Sequence, residues 1–207
     1  MKQDHLLTEG NVFHALLAFS VPFLIANLIQ ALYGAVDLMV VGWYCSPESV
    51  AAVSTGTQVT QIITNLVSGL TMGGTILVGK YTGMRDEEQT RRTIGTTLSV
   101  FAAVAVALTL VMLIFTDPIL ALLQTPAESA ALAKQYVTIC FYGIFFICGY
   151  NAISAILRGY GDSRRPMYFV ALSCILNIIG DFVFVKYLHM GVAGTALATV
   201  LSQAVSM

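Results

Sequence analysis

Charge is scarce in these 207 residues, with Asp, Glu, Lys and Arg at 10% against 57% hydrophobic. A soluble domain carries about 25% charged residues, so the composition excludes that class and points to an all-α integral membrane protein. The four cysteines, Cys45, Cys140, Cys148 and Cys174, form no CxxC pair, and three lie inside apolar runs. They imply neither a disulfide framework nor a thiolate metal site. No nucleotide-binding loop, metal-ligand cluster or nucleophile triad occurs, which leaves ATP-driven transport by this chain unsupported and speaks against an enzyme or a nucleic-acid binder. No cleavable signal peptide is expected, because the first ten residues are polar and the first apolar run is too long. Proline is sparse, and Pro47, Pro118, Pro126 and Pro166 fall in loops or at span ends. Pro22 lies inside the first apolar stretch, where a missing amide hydrogen favours a kink, so it marks the helix-bending position.

What is present is a set of apolar stretches at 13–41, 50–78, 94–115, 131–157, 167–187 and 191–207, each near or above the roughly 20 residues a bilayer crossing requires. The short loops 80–92 and 158–166 are basic, whereas those around Pro47 and from Pro118 to Pro126 contain no Lys or Arg. With the N-terminus in the cytoplasm, Lys2, Lys80, Arg85, Arg91, Arg92, Arg158, Arg164 and Arg165 fall inside and only Lys134 and Lys186 outside. The positive-inside rule then predicts six transmembrane helices and that orientation.

The segment from Ser173 to Val185 carries Asn177 and Asp181 four residues apart, on one helix face. Nothing basic lies between Arg165 and Lys186 to neutralise the acid. A carboxylate at mid-bilayer depth costs roughly 2.5–3.5 kcal/mol, so that face is expected to meet partners, water or an ion. Such an acid suits proton coupling, sodium coupling or competition between the two. Asp37 is the other acid within a span, at the end of a stripe of Asn27, Gln30, Gly34 and Asp37. The second span repeats the pattern with Ser54, Gln58, Gln61, Asn65 and Ser68, and the sixth with Thr195, Thr199, Ser202 and Ser206. The fourth contributes Tyr136, Cys140, Asn151 and Ser154, while the third is almost wholly apolar after Thr97. Stripes converging on one axis would line a hydrated cavity, for which Asn27, Gln30, Tyr33, Gln58, Gln61, Asn65, Tyr136, Asn151 and Ser154 are the candidate lining residues. Gly69 with Gly73 and Gly79 with Gly83 have the spacing of close helix packing, and Gly180 could relax the helix beside Asp181.

In this order and spacing the motifs are specific. Thr8-Glu9-Gly10, Val21-Pro22-Phe23, the run from Gln30 to Asp37 followed by Val41-Gly42, Ala152 to Asp162, Asn177 to Asp181, and Gly191 to Thr199 together span essentially the whole chain. The chain resembles the N-terminal half of a multidrug and toxic compound extrusion (MATE) exporter, nearest the DinF-like branch. The resemblance implies the N-lobe of a twelve-helix, V-shaped transporter working by alternating access, with the C-lobe absent. It also implies a cation or proton site at Asp37, Asn177, Asp181 and Thr199, a candidate Na+ site, with Tyr136 as a nearby hydrogen-bonding group. On the fourth span Ser154 stands where the family has an amide, with Asn151 about one turn away.

The expected activity is antiport of organic cations or amphipathic drugs against H+ or Na+ at the bacterial inner membrane, with the bilayer as surroundings and no cofactor beyond the coupling ion. From its length the chain is expected to be a truncated gene or partial sequence, export-inactive without the C-lobe or a second copy. A lipid-linked oligosaccharide flippase of the same superfamily is the alternative, although it would need more cationic residues in its cavity, and the spans contain no central Lys or Arg. An intramembrane aspartyl protease is more remote, since Asp162 lies in a basic loop and Asp37 follows Val36 rather than a tyrosine.

Overall fold

The computed structural model describes residues 12–207, so Lys2, His5 and the Thr8-Glu9-Gly10 motif lie outside the described residues. Every described element is helical: α1 (Val12–Tyr44), α2 (Pro47–Gly83), α3 (Glu87–Ile114), α4 (Thr116–Leu122), α5 (Ala127–Tyr142), α6 (Ile144–Gly159), α7 (Arg164–Asp181), a wider π-helical turn at Phe182–Tyr187, and α8 (Gly191–Ser206).

Local chemistry sets the ends. Pro47 opens α2, a position where its missing amide hydrogen costs nothing. Asp86 caps α3 by accepting from Gln89 N at 3.0 Å, with Glu87 and Glu88 in the first turn facing the positive end of the helix dipole. In the basic 158–166 connection Gly161 takes φ +83°, and Asp162 Oδ1 accepts from Arg164 N at 3.0 Å and Arg165 N at 3.1 Å. The Gly159-Tyr160-Gly161-Asp162 string is therefore a turn and a helix cap.

Among the described residues four helices are long and apolar enough to cross a membrane, and α5 with α6 makes a fifth as a pair bent by 46°. The apolar stretch 131–157 is carried by two helices, α5 and α6. The chain breaks at Gly143, where an added Cβ would stand 2.6 Å from Val200 Cγ2. α8 has 16 residues, roughly 24 Å at about 1.5 Å per residue, short of a bilayer core of about 30 Å. The third apolar run ends at Phe115, as its sequence boundary has it, and the short α4 follows.

α2 packs on α5 and α6, and α3 on α6, enclosing a core that includes Val53, Val67, Phe101, Val137 and Phe141. α1 lies mainly against α7, and α7 against α8. Leu24, Ile76, Leu110 and Ile179 are among the many large apolar side chains left exposed, a surface that fits lipid tails rather than water. Only some of the anticipated small-residue contacts form. Gly79 closes on Gly159 O, 3.3 Å from its would-be Cβ, but Gly69, Gly73 and Gly83 meet nothing within 4 Å. Pro22 sits within α1 without ending it.

Candidate functional site

α7 supplies Asn177 and Asp181, one turn apart, both 0% exposed. Their helix runs against α8 so closely that a Cβ on Gly180 would meet Ala198 Cβ at 2.9 Å. Gly180 therefore permits the approach of α8 rather than loosening α7. Directly after Asp181 the backbone widens, with Leu188 N bonding to Val183 O at 3.0 Å, a local irregularity that often accompanies functional positions. From α1 comes Asp37, 1% exposed, whose Oδ2 accepts from Thr199 Oγ1 at 3.2 Å. Asp37 and Asp181 are close enough for their carboxyl groups to influence one another electrostatically where the three helices meet.

Hydrogen bonding leaves this cluster incomplete. Asp37 Oδ1, both Asp181 oxygens, both polar atoms of the Asn177 amide and Thr195 Oγ1 are buried without a hydrogen-bond partner. Each unmade bond of this kind costs about 1–3 kcal/mol, more for charged groups. Two carboxylates and an amide are therefore brought together in a state that a cation or protons would complete. Among the described residues no group of three or more His, Cys, Asp or Glu is assembled; the oxygens come from two acids and neutral side chains, the chemistry of a hard cation.

Beside the cluster lies a cavity of about 270 Å³, lined by Gln30, Tyr33, Asp37, Gln61, Tyr136, Asn151 and Thr199 among others. Asp37 and Thr199 belong to both cavity and cluster, whereas Asn177 and Asp181 stand behind them and do not line it. Tyr33 OH reaches Ser202 Oγ at 2.9 Å and donates to Thr199 O at 3.2 Å, tying α1 to α8 at the boundary. Tyr136 OH is 3.5 Å from Thr57 Oγ1, and its ring fills the space over Gly56, where a Cβ would collide with it.

Four residues expected in the lining are elsewhere. Asn27, Gln58 and Asn65 are exposed and outside it, with Asn65 Oδ1 accepting from Gln61 Nε2 at 3.0 Å. Ser154 is buried in the helix packing, also outside the lining, while Asn151 lines the cavity and bonds Ile147 O through Nδ2 at 2.8 Å. On α2 the face that meets the cavity is that of Thr57, Thr60, Gln61 and Thr64, rotated by about 100° from the stripe of larger amides. That threonine spacing is present in the sequence beside the amide stripe, and Gln61 belongs to both. Tyr150 and Gln203 are further lining residues the sequence did not single out. At the far end of α6 the Arg158 guanidinium stands 5.8 Å over the Phe23 ring, next to Pro22.

Residues 22–183 match the family described as MatE. The chain is 34% identical to a probable multidrug resistance protein, YoeA, of Bacillus subtilis (strain 168), over 97% of its own length and 45% of the relative's. It resembles a solved outward-facing conformation of a multidrug resistance MATE family transporter of the MOP superfamily at TM-score 0.91 and 32% identity, covering all of this chain and 46% of that one. A MATE crystal structure in the bent conformation superposes at TM-score 0.90, also 32% identical, over 95% of this chain and 44% of that one. The chain thus spans about half the length of the proteins it matches.

Proposed function

Because this chain belongs to the MatE family, we propose that it forms the N-lobe of a membrane transporter, not an enzyme, that exports organic cations or amphipathic drugs against inward H+ or Na+. The observation that carries this reading is the position of Asp37, the one acid lining the cavity and also a member of the oxygen cluster behind it. A cationic drug in the cavity meets a carboxylate only at Asp37. A coupling ion held with Asn177, Asp181 and Thr199 needs the same carboxylate. The two demands compete, and competition for one group is a reciprocal coupling between drug and ion. Alternating access then requires α1 to move with the partner of Asp37, and Pro22 supplies the place to bend.

In this reading the bent α5–α6 pair is one crossing and α8 the sixth. The basic turns after α2 and α6 face the cytoplasm of a bacterium, as the positive-inside rule favours. A second lobe or a second copy completes the V.

Drug accumulation in cells expressing the gene for this chain, with imposed H+ or Na+ gradients, tests the proposal. Asp37→Asn and Asp181→Asn are each expected to abolish gradient-driven efflux at unchanged abundance. Efflux at the wild-type rate in either variant would show that the coupling assignment is wrong, and replacing Na+ by choline at fixed pH separates the two ions.

A further inference from the structure

Thr195 stands one turn before Thr199 on α8 and is 0% exposed. The other hydroxyls of that stripe are all engaged: Thr199 Oγ1 with Thr195 O at 3.0 Å and Asp37 Oδ2 at 3.2 Å, Ser202 Oγ with Thr199 O at 2.9 Å, and Ser206 Oγ with Ser202 O at 3.0 Å. Threonines of α2 likewise return their hydroxyls to the carbonyl four residues back, as Thr55, Thr60 and Thr64 do at 2.9–3.0 Å. Thr195 has no such outlet. The residue four before it is Gly191, whose φ of +55° lies outside right-handed helical geometry, and Thr195 Oγ1 is left buried and unpartnered.

The packing of α7 on α8 sets Thr195 at the level of Asp181. Two close contacts set the antiparallel register, Gly180 against Ala198 and Phe184 against Gly194, each with a would-be glycine Cβ 2.9 Å from its neighbour. Asp181 lies between these contacts on one helix of the pair and Thr195 between them on the other. Thr195 also shares its helix face with Thr199, which already bonds Asp37. Five oxygens of this junction consequently lack partners: Asp37 Oδ1, Asp181 Oδ1 and Oδ2, Asn177 Oδ1 and Thr195 Oγ1. A proton is satisfied by one acceptor, whereas a hard cation gathers several oxygens at once.

We propose that Thr195 Oγ1 is a further ligand of the cation bound between Asp37 and Asp181, and that it biases this site toward a sodium-sized ion over a proton. The inference rests on the cation-site reading above and adds to it a residue and an ion class. A threonine hydroxyl, neutral and nearly impossible to ionise, contributes a lone pair to Na+ without adding a second place for a proton.

The test is a calorimetric Na+ titration of the purified protein, expressed from its own gene, in sodium-free choline buffer. Thr195→Val removes the oxygen at almost constant shape, Thr195→Ala removes it with the methyl group, and Thr195→Ser keeps it. Loss of a ligand oxygen is expected to weaken Na+ binding about tenfold or more in Val and Ala, with Ser close to wild type. The thermal midpoint in sodium-free buffer, which a purely structural role would lower, is expected to be unchanged in all three. Wild-type Na+ affinity in Val or Ala overturns the proposal, as does a Ser variant as weak as Val. Asp181→Asn in the same titration separates the two levels. If it loses Na+ while Thr195→Val does not, only the role of Thr195 fails. If wild type and Asp181→Asn bind equally, or neither binds, the cation site fails and Thr195 with it.

Discussion

The two sides of this helical bundle are built on opposite rules. Between α2, α3, α5 and α6, apolar side chains such as Val53, Val67, Phe101 and Phe141 close on one another, and the ring of Tyr136 occupies the place a side chain at position 56 would need. At the α1–α7–α8 junction, helices approach as closely through Gly180 and Gly194, yet the side chains they bury are acids, an amide and a hydroxyl with unmade bonds. One side spends its sequence on stability. The other holds buried polar groups with unmade bonds, a departure from the packing rules around them.

The comparison breaks most sharply if the acids prove to be structural. Asp181→Asn replaces a buried carboxyl group that has no hydrogen-bond partner, so it is expected to eliminate coupled efflux while leaving the thermal midpoint in detergent unchanged or higher. A variant that unfolds would place Asp181 with the packing residues instead. On the other side, Gly56→Ala drives a methyl group into the Tyr136 ring and should cost about 1–3 kcal/mol of stability, read as a lowered midpoint; an unchanged midpoint would mean this core is looser than its burial implies. Tyr33→Phe deletes the hydroxyl that links α1 to Ser202 and Thr199 at the boundary. A loss of about 0.5–1.5 kcal/mol is expected, seen as a few-fold weaker dependence of efflux on the driving ion. The smallest effect belongs to Gln58→Ala, on the exposed face of α2 outside the cavity lining, where stability should move by no more than about 0.5 kcal/mol. A large loss of efflux there would return the amide stripe to the cavity.

Composition and periodicity made much of this legible. An apolar segment that carries Asn177 and Asp181 at helical spacing must turn that face inward, whatever it meets there, because lipid cannot solvate a carboxylate. Pro47 and Asp86 likewise announce the helix starts they produce. Other features were illegible because they depend on a neighbour distant in sequence. Gly143, at the break, lies so close to Val200 that a side chain there would collide with it, and the exposure of Gln58 and Asn65 follows from the way α2 turns its threonines toward α1 and α5. A periodic stripe shows that a helix has a polar face, not which neighbour that face meets.

By itself, then, the sequence determined the membrane setting, the helical class and the inward burial of the two span acids, since each follows from the cost of placing polar groups in hydrocarbon. Only the tertiary structure decided that Asp37 stands at a cavity while Asp181 is sealed behind it, and that Thr195 is left with an unshared hydroxyl. Those facts arise from the register in which α1, α7 and α8 close on one another, set by contacts such as Gly180 with Ala198 and Gly194 with Phe184.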